Sequence, residues 1–324
     1  MEGAYYNGQY LNRLERLGYS QAEIDNKLES TFEEMFYGPE GVRLCHCAGP
    51  DMMYIEDTGN HDVRTEGMSY AMMFCVQMNR QKEFDCLWRW VVTHMYLTEG
   101  ENAGYFAWSC HTDGSKNSDG PAPDGEEFFA MSLFFAANRW GSGEGVLDYA
   151  SWARRILHAC VHKGEEAGSG FPMWNPENHL IKFVPNCEFT DPSYHLPHFY
   201  ELFALWSDEC DRPFWHAAAA ASRQYLRKAC HARTGLSAEY AEYDGRPHRG
   251  DQPDRHDWFF SDAYRTLGNI ALDAQWFGDK DGWAQETAAH IQQFFEEKEH
   301  GQTNGIYLID GTPVEGNALH PVGP

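Results

Sequence analysis

Three carboxylates stand in settings that ordinary surface acids seldom occupy. Glu66 lies in His61-Asp62-Val63-Arg64-Thr65-Glu66-Gly67-Met68-Ser69-Tyr70, a polar opening that runs straight into Ala71-Met72-Met73-Phe74. Asp124 lies in Pro121-Ala122-Pro123-Asp124-Gly125-Glu126-Glu127, ahead of a second apolar run from Phe128 to Phe135. Asp262 follows Trp258-Phe259-Phe260-Ser261 and precedes Arg265 by three positions. Acids placed among glycines, prolines and aromatics suit cleavage of a glycosidic bond. That reaction needs two carboxyl groups about one bond, the first to protonate the leaving oxygen and the second to act at the opposite face. Aromatic residues make up 15% of the chain. Most belong in a core, but exposed ones suit flat sugar faces.

Each acid also has a structural role open to it. Asp62 is placed to be the N-cap of a helix running to about Asn79, with Glu66 in or just after its first turn. The helix dipole there favours an ionised carboxylate, whereas an acid catalyst must be protonated near neutral pH. Burial or a neighbouring carboxylate, Asp62 or Asp124, therefore has to raise Glu66 more than the dipole lowers it. Asp124 reads as the N-cap of the next apolar helix, with Glu127 completing a capping-box-like pair and two prolines fixing the approach. A capping residue is rigidly held, as a substrate-holding carboxylate must be. Asp262 and Arg265 have the spacing of an intrahelical ion pair, worth about a few tenths of a kcal/mol.

The elements that position these residues are mostly helical. Ser20-Gln21-Ala22-Glu23 has the form of a capping box and opens a helix through about Phe36, with Ile24, Leu28, Phe32 and Met35 at helical spacing. Residues 38–61 read as loops and short strands. Further helices are expected at about 81–97, 146–161, 191–207, 211–230, 254–277 and 278–299. Short turns join helices in pairs, and long connections rich in glycine and aromatics separate the pairs. The connection 98–123 carries Tyr105-Phe106-Ala107-Trp108-Ser109-Cys110. A loop of that length in a compact domain is functional or disordered, and its aromatics favour function. About nine substantial helices without strand–helix alternation predict an all-α toroid of helical hairpins, its long loops meeting at one end. No break in composition divides residues 1–324 into domains.

Composition narrows the partners. With 49 Asp and Glu against 25 Lys and Arg, no basic patch is available for nucleic acid. The nine cysteines are scattered through apolar segments, the pattern of buried thiols in a reducing compartment. Cys45-His46-Cys47 lacks a matching second pair and is a weak zinc pattern. No basic region followed by an apolar run opens the chain, and no stretch approaches a membrane span. These features predict a cytoplasmic protein with no nucleic-acid or membrane partner and no metal or other cofactor.

The stretches Asp62 to Tyr70, Pro121 to Phe128, Asp191-Pro192-Ser193-Tyr194-His195 and Ser261-Asp262-Ala263-Tyr264-Arg265 together resemble glycoside hydrolase family 8. The similarity covers essentially the whole chain from about Tyr5. The resemblance implies an (α/α)6 barrel and an inverting mechanism, with Glu66 as general acid and Asp262 as general base, standing about 6.5–9.5 Å apart to admit a water. It also implies that Asp124 holds the sugar at the cleavage subsite, that Tyr194 lies near the catalytic water, that Trp108 lines the cleft, and that Arg64 supports Glu66. Asn317-Ala318-Leu319-His320-Pro321 resembles the Leu-His-Pro kink of the family's exo-acting, reducing-end xylose-releasing branch. There the kink closes the cleft, and the histidine, here His320, contacts the terminal xylose. The implied substrate is a β-1,4-xylo-oligosaccharide. Two other readings stand beside it: an endo-acting relative that cuts xylan, β-glucan, cellulose or chitosan, and a non-catalytic sugar-binding form. A family barrel has twelve helices, so the resemblance implies a chain about two or three helices short, with apolar faces of its first and last hairpins uncovered.

Overall fold

The structure, a computed structural model, describes residues 2–165, 168–250, 255–299 and 305–314. In chain order its helices are α1 (Ala4–Asn7), α2 (Arg13–Arg16), α3 (Gln21–Tyr37), α4 (Thr65–Gln77), α5 (Gln81–Trp90), α6 (Pro123–Trp140), α7 (Tyr149–His162), α8 (Pro197–Trp206), α9 (Arg212–Ala229), α10 (Arg265–Phe277) and α11 (Trp283–Glu299). Antiparallel pairs form between β1 (Cys45–Cys47) and β2 (Met53–Ile55), and between β3 (Asp62–Arg64) and β4 (Ser109–His111). Nine of the described helices reach ten residues, as the apolar spacing predicts. The alternation of connections also holds: 78–80, 207–211 and 278–282 are short, whereas 91–122, 163–196 and 230–264 are long. No described helix is long and apolar enough to cross a membrane.

Contacts gather the chain into two compact units, one of residues 10–170 and one of residues 1–9 with 171–324. In the first, the capping box at the start of α3 is formed: Ser20 Oγ accepts the Glu23 amide at 3.3 Å, and the Glu23 carboxylate accepts the Ser20 amide at 2.8 Å. Helix α4 packs on α5 and α6, and α6 packs on α7. Trp88, Phe106 and Phe129 meet at ring distances of 5.1–5.9 Å and fill the space beside α6. The helix expected to reach Leu97 ends earlier. Helix α5 passes into a wider turn over Val91–Met95, and Tyr96 then bridges to Phe106 as an extended pair.

In the second unit, α8 packs on α9 and α10, and α10 on α11. Trp215 meets Trp174, Tyr200 and Phe203 at 5.0–5.9 Å. His195 is buried between Thr190 Oγ1 (3.0 Å) and Ser222 Oγ (2.9 Å). Burial pushes its imidazole down to about 3, so it is neutral. Two expected helices are broken. The 191–207 helix divides into a 3-10 turn, Pro192–Tyr194, and α8, because Pro197 supplies no amide to continue the turn and must stand at a helix start. The 254–277 helix begins only with the 3-10 turn Ser261–Tyr264; Phe259 before it is extended and donates its amide to the Tyr307 carbonyl at 2.7 Å.

Candidate active site

Residues 10–170 carry Arg64, Glu66, Trp108 and Asp124. Asp62 does not cap α4 as its sequence position predicts. It is drawn into β3, paired with His111 of β4, and its carboxylate accepts Ser109 Oγ at 2.9 Å and Arg64 Nε at 3.0 Å. The N-cap position falls to Arg64, which offers no side-chain cap. The Trp108 carbonyl accepts the Thr65 amide instead, at 3.0 Å. Glu66 is thus the second residue of α4 and is half-buried. The Arg64 Nε also faces Asp57 at 3.2 Å, and its guanidinium lies 5.2 Å from the Trp108 ring centroid. Its ion pairs therefore go to Asp57 and Asp62.

Asp124 is likewise no N-cap. Pro123 takes the first helical position, which suits its fixed φ and missing amide, and Ala122 becomes the N-cap. Asp124 is then the buried second residue of α6, and its Oδ1 accepts the Gly125 amide at 3.0 Å. The sequence held this signal, since proline favours the first turn. Gly125 is the reason the starts of α4 and α6 can touch. A Cβ there would fall 2.5 Å from Thr65 Cβ and 2.6 Å from Thr65 Oγ1. Glu66 and Asp124 each stand one residue from that contact. Gly125→Ala is therefore expected to cost about 1–3 kcal/mol in chemical denaturation. Adding Thr65→Ala should not restore stability, because the Thr65 Cβ that clashes remains.

Residues 171–314 carry Tyr194 and Asp262. The Asp262 carboxylate lies 2.7 Å from the Arg265 guanidinium, so the expected pair forms. Arg265 also lies 5.9 Å from the Tyr194 ring centroid. Asn269 Nδ2 donates to the Ser193 carbonyl at 2.7 Å and ties α10 to the turn that bears Tyr194. Phe183 packs against Tyr194 and Tyr240, at 5.9 and 4.2 Å. Asp262 follows Ser261, whose φ of +48° is a left-handed conformation that a non-glycine residue adopts at a cost. Asp191, seen in the sequence only as a helix opener, is buried, and its Oδ1 accepts the Ser193 amide at 2.6 Å. Burial raises its carboxyl well above the usual range, although Arg265 opposes the shift. His320, with Leu319 and Pro321, lies outside the described residues.

Asp57, Gly125, Glu126 and Asp191 are the supporting residues that sequence reasoning missed. The Cys45-His46-Cys47 stretch is β1: Cys45 is buried and pushed up to about 12 by that burial, Cys47 is exposed, and His46 Nε2 pairs with Glu56 at 3.2 Å.

The profile of Glycosyl hydrolases family 8 matches residues 19–318. The chain is 54% identical to the reducing end xylose-releasing exo-oligoxylanase of Halalkalibacterium halodurans, over 99% of this chain and 82% of that protein. It is also 54% identical to the reducing-end xylose-releasing exo-oligoxylanase Rex8A of Paenibacillus barcinonensis, over 99% of this chain and 84% of that one. The solved structure of Rex8A complexed with xylose has a TM-score of 0.94 at 53% identity, covering 99% of this chain and 84% of that chain. Its fold class is accordingly all-α, that of the (α/α)6 barrels, and the chain belongs to glycosyl hydrolases family 8.

Proposed function

We propose that this glycoside hydrolase releases xylose from the reducing end of β-1,4-xylo-oligosaccharides with inversion at the cleaved centre. The observation that carries the reading is its 54% identity, across nearly the whole chain, to enzymes that bear that name. Glu66 is the general acid that protonates the leaving oxygen, and Asp262 the general base that takes a proton from the attacking water. Asp124 holds the sugar whose bond is cut, Tyr194 lies by the water, and Trp108 offers its ring to the sugar with Arg64 against it. His320 contacts the terminal xylose where the cleft closes. The physics of exo action is steric, since a longer leaving group has no space to lie in. The endo-acting reading is the less favoured one on the identities above.

Cytoplasmic location is part of the same proposal. None of the nine cysteines is joined in a disulfide, the state that a reducing compartment maintains. Short xylo-oligosaccharides can be taken up, whereas intact xylan cannot enter a cell.

The test is proton NMR of xylotriose digestion from the first minutes. The expected result is early xylose and xylobiose, the new xylobiose reducing end appearing as the α-anomer. Converting the reducing end of xylotriose to an alditol should abolish cleavage. No turnover of xylotriose, or equal cleavage of the alditol with internal cuts in long polymers, would overturn the assignment.

A further inference from the structure

Glu126 follows Asp124 by two positions in the first turn of α6 and has no exposed surface. Its Oε1 accepts the Phe106 amide at 3.0 Å, and its Oε2 is buried with no hydrogen-bond partner. Topology explains why Phe106 needs that acceptor. In the bridge between Tyr96 and Phe106, the Ala107 amide goes to the Met95 carbonyl and the Leu97 amide to the Tyr105 carbonyl. The Phe106 amide therefore points away from the paired strand, into a wall where water cannot serve it. Two residues on, Trp108 donates its amide to Gly120 and accepts the Thr65 amide at 3.0 Å. A continuous path of bonds thus runs from Glu126 through Phe106 and Trp108 to the residue before Glu66.

We infer that Glu126 is a positioning residue: its carboxyl holds the segment from Phe106 to Trp108, and that segment fixes both the Trp108 ring and the start of α4 that bears Glu66. The role rests on the assignment of Glu66 as the acid. A carboxyl on this side chain suits the task because it is long enough to reach from the helix to the segment and present an acceptor to the Phe106 amide. Its surroundings are poor in charge. Phe106 packs on Trp88, Tyr96 and Phe129, while the titratable neighbours are Glu127 on α6 and Cys160 on α7, whose thiol burial and both glutamates push up. Burial raises Glu126 from its ordinary 4.5 to about 8. The folded state thus keeps a proton that the unfolded chain loses. Stability is full below 4.5 and falls as pH rises toward about 8.

Two variants separate a positioning role from simple filling. Glu126→Gln keeps length and acceptor, whereas Glu126→Asp keeps the acid but withdraws the oxygen from Phe106. On xylotriose, Glu126→Asp is expected to lose about 10–10²-fold in kcat, and Glu126→Gln to stay within about threefold of the parent. Amide hydrogen exchange at Phe106 and Thr65 should quicken in Glu126→Asp and stay protected in Glu126→Gln. The urea midpoint of Glu126→Gln should also fall less than the parent's between about pH 5 and about pH 9. Parent-like rates and protection in Glu126→Asp, or equal damage in both variants, would overturn the inference. An unmutated protein that leaves xylotriose intact would remove the role of Glu66, and the exchange at Thr65 would still decide whether Glu126 holds the start of α4.

Discussion

Glu66→Gln is expected to lower kcat on xylotriose by about 10²–10⁴-fold, the usual contribution of a positioned general acid. The local structure explains why the loss should fall on kcat. Contacts of neighbouring residues fix the α4 start: the Trp108 carbonyl holds the Thr65 amide, and the Gly125 contact sets the neighbouring helix against Thr65. Glutamine has the same length and shape, so the helix start and KM should change little. What disappears is the proton. A xylose leaving group departs poorly as an alkoxide, so its oxygen must be protonated as the bond breaks. The decisive comparison uses β-xylobiosyl fluoride, in which fluoride departs with far less need of a proton. Glu66→Gln should retain much of the parent rate on the fluoride while failing on xylotriose. Equal losses on both substrates would sink the acid role and point to a binding function for Glu66.

Local signals in the sequence specify much of this architecture. The Ser20–Glu23 capping box and the apolar spacing of α3 lie within one stretch of chain, and both appear in the structure. The starts of the site helices depend on less local signals. Asp62 has the residue type and place of a cap, but Ser109, 47 positions away, and the register of β4 recruit it into a strand. Nothing near Asp62 announces that pairing. Asp124 carries two competing signals, its own capping residue type and the preference of Pro123 for the first helical position, and the proline prevails. The run Trp258-Phe259-Phe260 looks like helix in isolation, yet Phe259 is claimed by Tyr307. Nothing in the sequence gives Glu126 a role, and only the packed aromatic wall makes it a buried acceptor. Residue types thus pointed to the candidate acids, while their precise seating depended on contacts distant in the chain.

Asp262→Asn is the second large effect expected, again about 10²–10⁴-fold in kcat. The ion pair with Arg265 at 2.7 Å favours the charged carboxylate, the form that a base needs. Asp191 could compete for the same guanidinium, but burial raises its carboxyl well above the usual range, with the Asp262 charge adding to the shift. Asn at 262 ends the pairing and cannot accept the water's proton, yet it keeps the side chain's shape after the strained Ser261. A small anionic nucleophile should then substitute for the activated water. Added azide attacks the anomeric carbon as Glu66 protonates the departing xylose, giving α-xylobiosyl azide. Recovery of turnover with that product identifies Asp262 as the base. Absence of rescue, with xylobiose binding intact, would place the base elsewhere.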